Sequence, residues 1–134
     1  MKKFDDKISQ AILRELRQNA RISWQDLGRA AHLSGQAAAE RVRQMQDAGV
    51  IKGFTLKETR QRHFIGVSMQ HTRFNEFEAW LCHWENVESA DKTGGDICYQ
   101  IVYATDDPAD LERFLNELLK HGIYRLNSSI RRVK

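Results

Sequence analysis

The apolar positions of this chain change period about halfway along, and that change organises everything else. In the first half they recur at helical spacing. Over residues 5–18, Ile8, Ala11, Ile12 and Leu16 fall on one face, predicting a helix that Asp5 or Asp6 can cap. Ser23-Trp24-Gln25-Asp26 then opens a second helix. The serine hydroxyl can bond the third amide while the aspartate reaches back to the first. Leu27, Ala30 and Ala31 face inward, Ala31-His32-Leu33 makes a turn, and Ser34 caps a third helix. On that helix Ala38, Ala39, Val42, Met45 and the boundary Gly49 line one side. Gln36, Ala37, Glu40 and Gln44 fall on the other side, flanked by Arg41 and Arg43. Gly49 tolerates the positive φ that ends a helix. Residues 50–56 read as an extended segment, a small wing, and the polar run 57–62 marks a domain boundary.

The second half alternates strand and helix patterns. Ile65, Val67 and Met69 alternate along a strand over 64–71, and Phe77, Trp80, Leu81 and Trp84 return to helical spacing. A short strand over 86–93 leads to a tight turn at Gly94-Gly95. Ile97, Tyr99, Ile101 and Tyr103 alternate along the next strand. Asp107-Pro108-Ala109-Asp110 starts a helix with a cap, a proline at the first position and a carboxylate in the first turn. Leu111, Phe114, Leu115 and Leu118 form its inner face, Gly122 closes it, and 123–133 reads as a last strand. The order β-α-β-β-α-β is ferredoxin-like. The predicted class is α+β, with a winged helix-turn-helix domain over 1–57, a linker over 58–62 and a ferredoxin-like domain over 63–134.

Charge separates the same two halves. Residues 1–62 hold 13 Lys/Arg against 7 Asp/Glu, while residues 63–134 hold 8 against 11. The basic half suits phosphates and the acidic half does not. A helix, a tight turn and a well-capped second helix match a helix-turn-helix, whose second helix fits the DNA major groove.

At 134 residues, 41% hydrophobic and 29% charged, the chain has the composition of a folded globular protein. No apolar run reaches the roughly 18 residues of a membrane helix, and the Met1-Lys2-Lys3-Phe4-Asp5-Asp6 start lacks the apolar stretch of a signal peptide. A cytoplasmic protein is expected. Cys82 and Cys98 fit buried thiols better than a disulfide framework, and no cysteine or histidine spacing suits a metal. His63, His71, His83 and His121 show no partnered spacing, so no catalytic role, no cofactor and no metal site are expected.

The whole chain resembles the Lrp/AsnC, or feast/famine, family of transcriptional regulators. The residues that carry the resemblance begin with Ile12-Leu13-Arg14-Glu15-Leu16 and Asn19-Ala20-Arg21-Ile22-Ser23. They continue through Leu33-Ser34, Glu40-Arg41-Val42-Arg43 and Gly49-Val50-Ile51-Lys52-Gly53-Phe54. In the second half they are Gly95-Asp96 before a strand and the terminal Gly122-Ile123. The resemblance implies a DNA-binding domain joined to a ferredoxin-like domain that dimerises, higher assembly of dimers, and amino-acid effectors bound between them. The chain departs from the family pattern at three places. Gly35 stands where proline is usual after the cap, and His32 where the turn usually has glycine. Cys98 stands where a second carboxylate is usual.

The expected DNA contacts are Trp24, Ser34, Gln36, Ala37, Arg41 and Arg43. Arginine reads guanine or pairs with phosphate, and glutamine reads base edges. The same arginines on an ordinary helix would be a solvated face, and Trp24 could equally pack on its own domain. An effector would meet Gly94, Gly95, Asp96 and Cys98, though Gly94-Gly95-Asp96 is first of all a hairpin turn. A thiol at Cys98 is largely neutral near pH 7 and cannot pair well with an ammonium group. Amino-acid binding is therefore expected to be slight or absent, with a different small molecule or none as effector. Trp80 and Trp84 read as core or dimer contacts. The expected partners are double-stranded DNA and a second copy of the chain, as a homodimer or larger. A variant of this reading is an architectural protein that bends or bridges DNA. The alternative from another class is an enzyme like the sirohaem decarboxylases, which share the two-domain plan; an RNA-binding reading lacks the aromatic basic motif it needs.

Overall fold

In the computed structural model, which describes residues 4–134, a short oxygen-bearing side chain opens each of the first three helices. The expectations drawn from Met1, Lys2 and Lys3 lie outside the described residues. Asp6 caps α1 (Lys7–Gln18), Ser23 caps α2 (Trp24–Ala30) and Ser34 caps α3 (Gly35–Asp47). Each accepts a hydrogen bond from the amide three residues on, at 3.1 Å in all three cases. Only half of the reciprocal box at Ser23 forms. The Asp26 carboxylate instead takes a hydrogen bond from Arg29 at 3.4 Å.

α2 and α3 end in the same way. Leu33 N–H donates to the Gly28 carbonyl at 2.7 Å and His32 N–H to the Arg29 carbonyl at 3.4 Å; Val50 and Gly49 repeat the pattern on Met45 and Gln46. The residue that must turn left-handed is Gly49, φ 76°, in one case and His32, φ 59°, in the other. Ile12, Leu27, Ala31, Ala38, Val42 and Met45 fill the core between the three helices. Ala30, expected inward, is exposed, and Ala39 is only half-buried.

The expected wing does not form. Residues 52–60 carry no strand, because a wing needs a second run to pair with and the polar stretch after Leu56 supplies none. Residues 50–55 and Lys57 instead line, with the C-terminal half of α1, a groove of about 500 Å³.

The chain divides into two compact units, Met1–Lys57 and Glu58–Lys134. The second begins earlier than a free linker over 58–62 would allow. Arg60 donates to Asn86 Oδ1 at 2.9 Å and to the Ala104 carbonyl at 3.1 Å, Gln61 N–H donates to Asp106 at 2.8 Å, and Arg62 already pairs with Ala104.

The elements of this unit are β1 (Arg62–Met69), α4 (Phe74–Cys82), β2 (Val87–Lys92), β3 (Tyr99–Ala104), α5 (Pro108–Leu118) and β4 (Gly122–Ser128). The strands form one antiparallel sheet in the order β2-β3-β1-β4, the ferredoxin-like arrangement. Register pairs Ile65 with Ile101 and Val67 with Tyr99, which puts the alternating apolar residues on one face. Phe77 and Leu81 of α4 and Phe114, Leu115 and Leu118 of α5 pack on that face. Trp80 stacks on Phe114 with centroids 5.5 Å apart and Trp84 meets its edge at 5.1 Å, so both belong to the core of their own unit.

Four boundaries differ from the sequence reading. β1 runs over Arg62–Met69 and not 64–71. Ile97 lies before β3, in the turn. The last strand stops at Ser128, since β1 ends its pairing there at His63. Gly122 does not close α5, which is capped at Leu119; it begins β4 opposite Met69. A Cβ there would sit 2.4 Å from the Ser68 carbonyl oxygen, so the close approach of β1 demands glycine.

Candidate nucleic-acid interface

α3 is short of apolar residues except along one stripe, so its opposite face must meet solvent or a partner. At about 100° per residue, Gln36, Glu40 and Arg43 point away from the stripe of Ala38, Val42 and Met45. That outward face forms a concavity of about 720 Å³ lined by Trp24, Ser34, Gln36, Ala37, Ala39, Glu40, Arg43 and Gln46. Five of the six expected contact residues are brought together there. Trp24 is 49% exposed, so it does not pack into its own core. Glu40 pairs with Arg43 one turn on, holding the guanidinium over the surface.

Arg41 is the residue that does not join them. Two steps along a helix rotate a side chain by about 200°, so Arg41 and Arg43 cannot share a face. Arg41 lies beside the buried stripe and reaches α1, donating to Asp6 Oδ2 at 3.0 Å and to Ser9 Oγ at 2.8 Å. Ser9 is fully buried and donates to Asp6 Oδ1 at 2.7 Å. The hydroxyl and amide of Ser9, with the Arg41 guanidinium, pull the Asp6 carboxyl down to about 2. The placement of Arg41 as an outward flank of the helix is corrected accordingly. Gln46 and Ala39 join the concavity by the helical rotation, one turn after and one turn before Arg43.

The expected effector residues lie in the β2–β3 turn and do not converge. Gly94, Gly95 and Asp96 are exposed at its tip, Gly95 at φ 127°. Thr93 closes the turn, its N–H on the Cys98 carbonyl at 2.9 Å and its hydroxyl on the Ile97 carbonyl at 2.7 Å. Cys98 is half-buried and packs on the sheet core, away from the tip. Cys82, by contrast, is exposed.

Two histidines judged unpartnered meet across the fold. His71 Nε2 lies 3.1 Å from His121 Nδ1, and the Arg73 N–H donates to His71 Nδ1 at 3.1 Å. The buried His63 sits between Ser128 Oγ and the Thr105 carbonyl. Chain separations of 50 and 65 residues left neither pairing visible in the sequence. Among the described residues, no group of three or more His, Cys, Asp or Glu is placed to hold a metal ion, and no helix is long and apolar enough to cross a membrane.

Known proteins match both units. Residues 6–46 match the AsnC-type helix-turn-helix domain, and residues 62–131 match the Lrp/AsnC ligand binding domain. The HTH-type transcriptional regulator LrpB of Bacillus subtilis (strain 168) is 30% identical over 135 residues, covering 96% of this chain and 91% of its own. LrpA of the same organism is 30% identical over 129 residues, covering 91% and 95%. The solved structure of B. subtilis LrpC superposes with a TM-score of 0.84 at 24% identity, over 100% of this chain and 99% of that one. The transcriptional regulator NMB0573 of Neisseria meningitidis, solved as an L-Met complex, gives 0.81 at 21% identity over 96% and 92%. These two likenesses speak for the fold. The sirohaem-decarboxylase alternative finds no support among the relatives, which are named as regulators. Matched in both of its halves and along nearly its whole length, the chain belongs to the Lrp/AsnC family of HTH-type transcriptional regulators.

Proposed function

We propose that α3 is the reading helix of a cytoplasmic regulator, entering the major groove of duplex DNA with Gln36, Ala37 and Arg43 toward the bases and phosphates. The observation that carries this reading is the concavity on the outward face of α3, where these residues stand with Trp24 and Ser34. Gln36 has the amide pair to read an adenine edge, and Arg43 the fork for guanine or phosphate. Trp24 and Ser34 flank them at the two helix starts, where backbone phosphates commonly bind. Gln36→Ala is expected to relax preference at one base position, at a cost of roughly 1–3 kcal/mol. Arg43→Ala at a phosphate is expected to weaken all sequences alike and to lower the salt slope by about one. Protein-bound DNA sequencing and salt titrations read both, and wild-type binding by a folded Gln36/Arg43 double alanine variant would sink the placement.

The second unit is the proposed assembly and effector unit. Two half-sites one helical turn apart require paired proteins. β4 is an edge strand with Ile123 and Leu126 exposed, an edge that a second copy can cover. At the β2–β3 turn, Asp96 is the one carboxylate of the expected effector residues, and Cys98 faces the core. That arrangement favours an effector other than an ordinary amino acid, or none.

A further inference from the structure

Arg41 is the arginine of α3 whose guanidinium reaches across to another helix of its unit, while Arg43 pairs with Glu40 on α3 itself. It contacts both Asp6 and the buried Ser9, 35 and 32 residues away in the chain. Asp6 is at the same time the cap of α1, its second oxygen and its first both taken by Ser9. One carboxylate therefore fixes the start of α1 and the middle of α3 together. Arg41 keeps 29% of its side-chain surface and Asp6 51%, so the pair is partly shielded by the helices it joins. The core of the unit is otherwise apolar side chains, whose burial is favourable without being directional. A charge-assisted hydrogen-bond pair is directional and resists sliding and rotation.

We propose that Arg41 is a positioning residue for DNA reading: its clasp on Asp6 and Ser9 sets the rotation of α3 against α1, so that the Gln36 amide presents in register with a base edge. This rests on α3 being the reading helix. It gives Arg41 a role that differs from a phosphate contact in a measurable way. A phosphate contact releases counterions and acts on every sequence alike. A positioning clasp touches no DNA, so its loss leaves the number of phosphate contacts unchanged and degrades recognition of the preferred sequence.

The test compares Arg41→Ala, Asp6→Asn and the double variant of the full chain. Asparagine caps a helix as well as aspartate does, so Asp6→Asn removes the charge while keeping α1. A randomised duplex pool first yields the sequence the wild type prefers. Affinity for that sequence and for unselected duplex is then measured across a range of salt. Each single variant is expected to lose about tenfold on the preferred sequence, the double variant no more than either single, since the two changes break one interaction. Unselected duplex should bind as before, with the salt slope unchanged. Arg41→Lys, which keeps the charge but not the forked geometry, should recover only part of the loss.

Two results overturn the proposal. A salt slope lowered by about one for Arg41→Ala, with Asp6→Asn indistinguishable from wild type, makes Arg41 a phosphate contact. Lower thermal stability in both variants with wild-type affinity and sequence preference makes the clasp a fold element only. The reading of α3 itself fails on other variants, those of Gln36 and Arg43, so the two failures are told apart.

Discussion

His32 holds φ at 59°, a conformation that costs most L-residues about 1–2 kcal/mol but that histidine, asparagine and aspartate adopt more readily than others. It sits where Gly49 sits at the end of α3, and the same pair of hydrogen bonds closes both helices. The left-handed residue is therefore demanded by the motif and not by the side chain. His32→Gly is expected to leave stability level or raise it by about 1 kcal/mol, because relief of strain competes with a floppier unfolded chain. His32→Val, branched at Cβ, should lower it by about 1–2 kcal/mol. Thermal unfolding decides, and a valine variant as stable as wild type would show that the turn can shift.

At the scale of elements, the His71–His121 pair ties the turn between β1 and α4 to the turn between α5 and β4. The Arg73 N–H occupies His71 Nδ1, so the His71 proton is on Nε2 and is donated to His121 Nδ1. A proton added at His121 Nδ1 must break its bond to His71. Burial, then the neighbouring His71 and Arg73, hold His121 below its ordinary 6.5, with Glu117 and Glu76 opposing. The sign follows. Above about 6.5 the contact contributes fully; below it the unfolded chain binds the proton more readily than the folded one, and stability falls until the folded-state value is passed. Melting temperature is expected to drop as pH falls from about 7 to about 5, and His121→Gln, which still accepts from His71, should flatten that slope. An unchanged slope in the variant would place the titration elsewhere.

Elements were more legible in the chain than their partners. Period alone gave helices and strands because α3 buries Ala38, Val42 and Met45 and β3 alternates Tyr99, Ile101 and Tyr103 with half-buried neighbours. The order of six elements was enough for the sheet topology. Period does not say where a polar side chain finds its partner, and so Arg41 with Asp6, His71 with His121 and Arg60 with Asn86 were invisible. The wing failed for a different reason. Residues 50–56 have a strand's pattern, but a strand exists only with a neighbour to bond, and pattern does not report neighbours.

For the whole molecule, the positive excess belongs to one unit. Met1–Lys57 holds 11 Lys/Arg against 6 Asp/Glu, and Glu58–Lys134 holds 10 against 12. Attraction to a polyanion therefore falls to the first unit, which leaves the second free to meet another copy of itself without phosphate competing. Sedimentation of the full chain at micromolar concentration is expected to show a dimer or larger, at the same size with and without each of the twenty amino acids. A monomer would remove the proposed assembly role, and a shift with any amino acid would remove the argument from Cys98.

The aromatic residues are divided between the units as unevenly as the charges. All three tyrosines and two of the three tryptophans lie in Glu58–Lys134, where the half-buried Trp80 and Trp84 pack on Phe77, Phe114 and Tyr103. Trp24 is alone in the first unit, half open to water and on the rim of the concavity. Energy absorbed by Tyr103 thus has an indole acceptor beside it, Trp84 at 6.4 Å, while Trp24 is the most exposed of the three indoles and contributes most to the red edge of the emission. The protein carries its own optical label at the face proposed to meet DNA, one that a quencher in solution can reach until a duplex covers it.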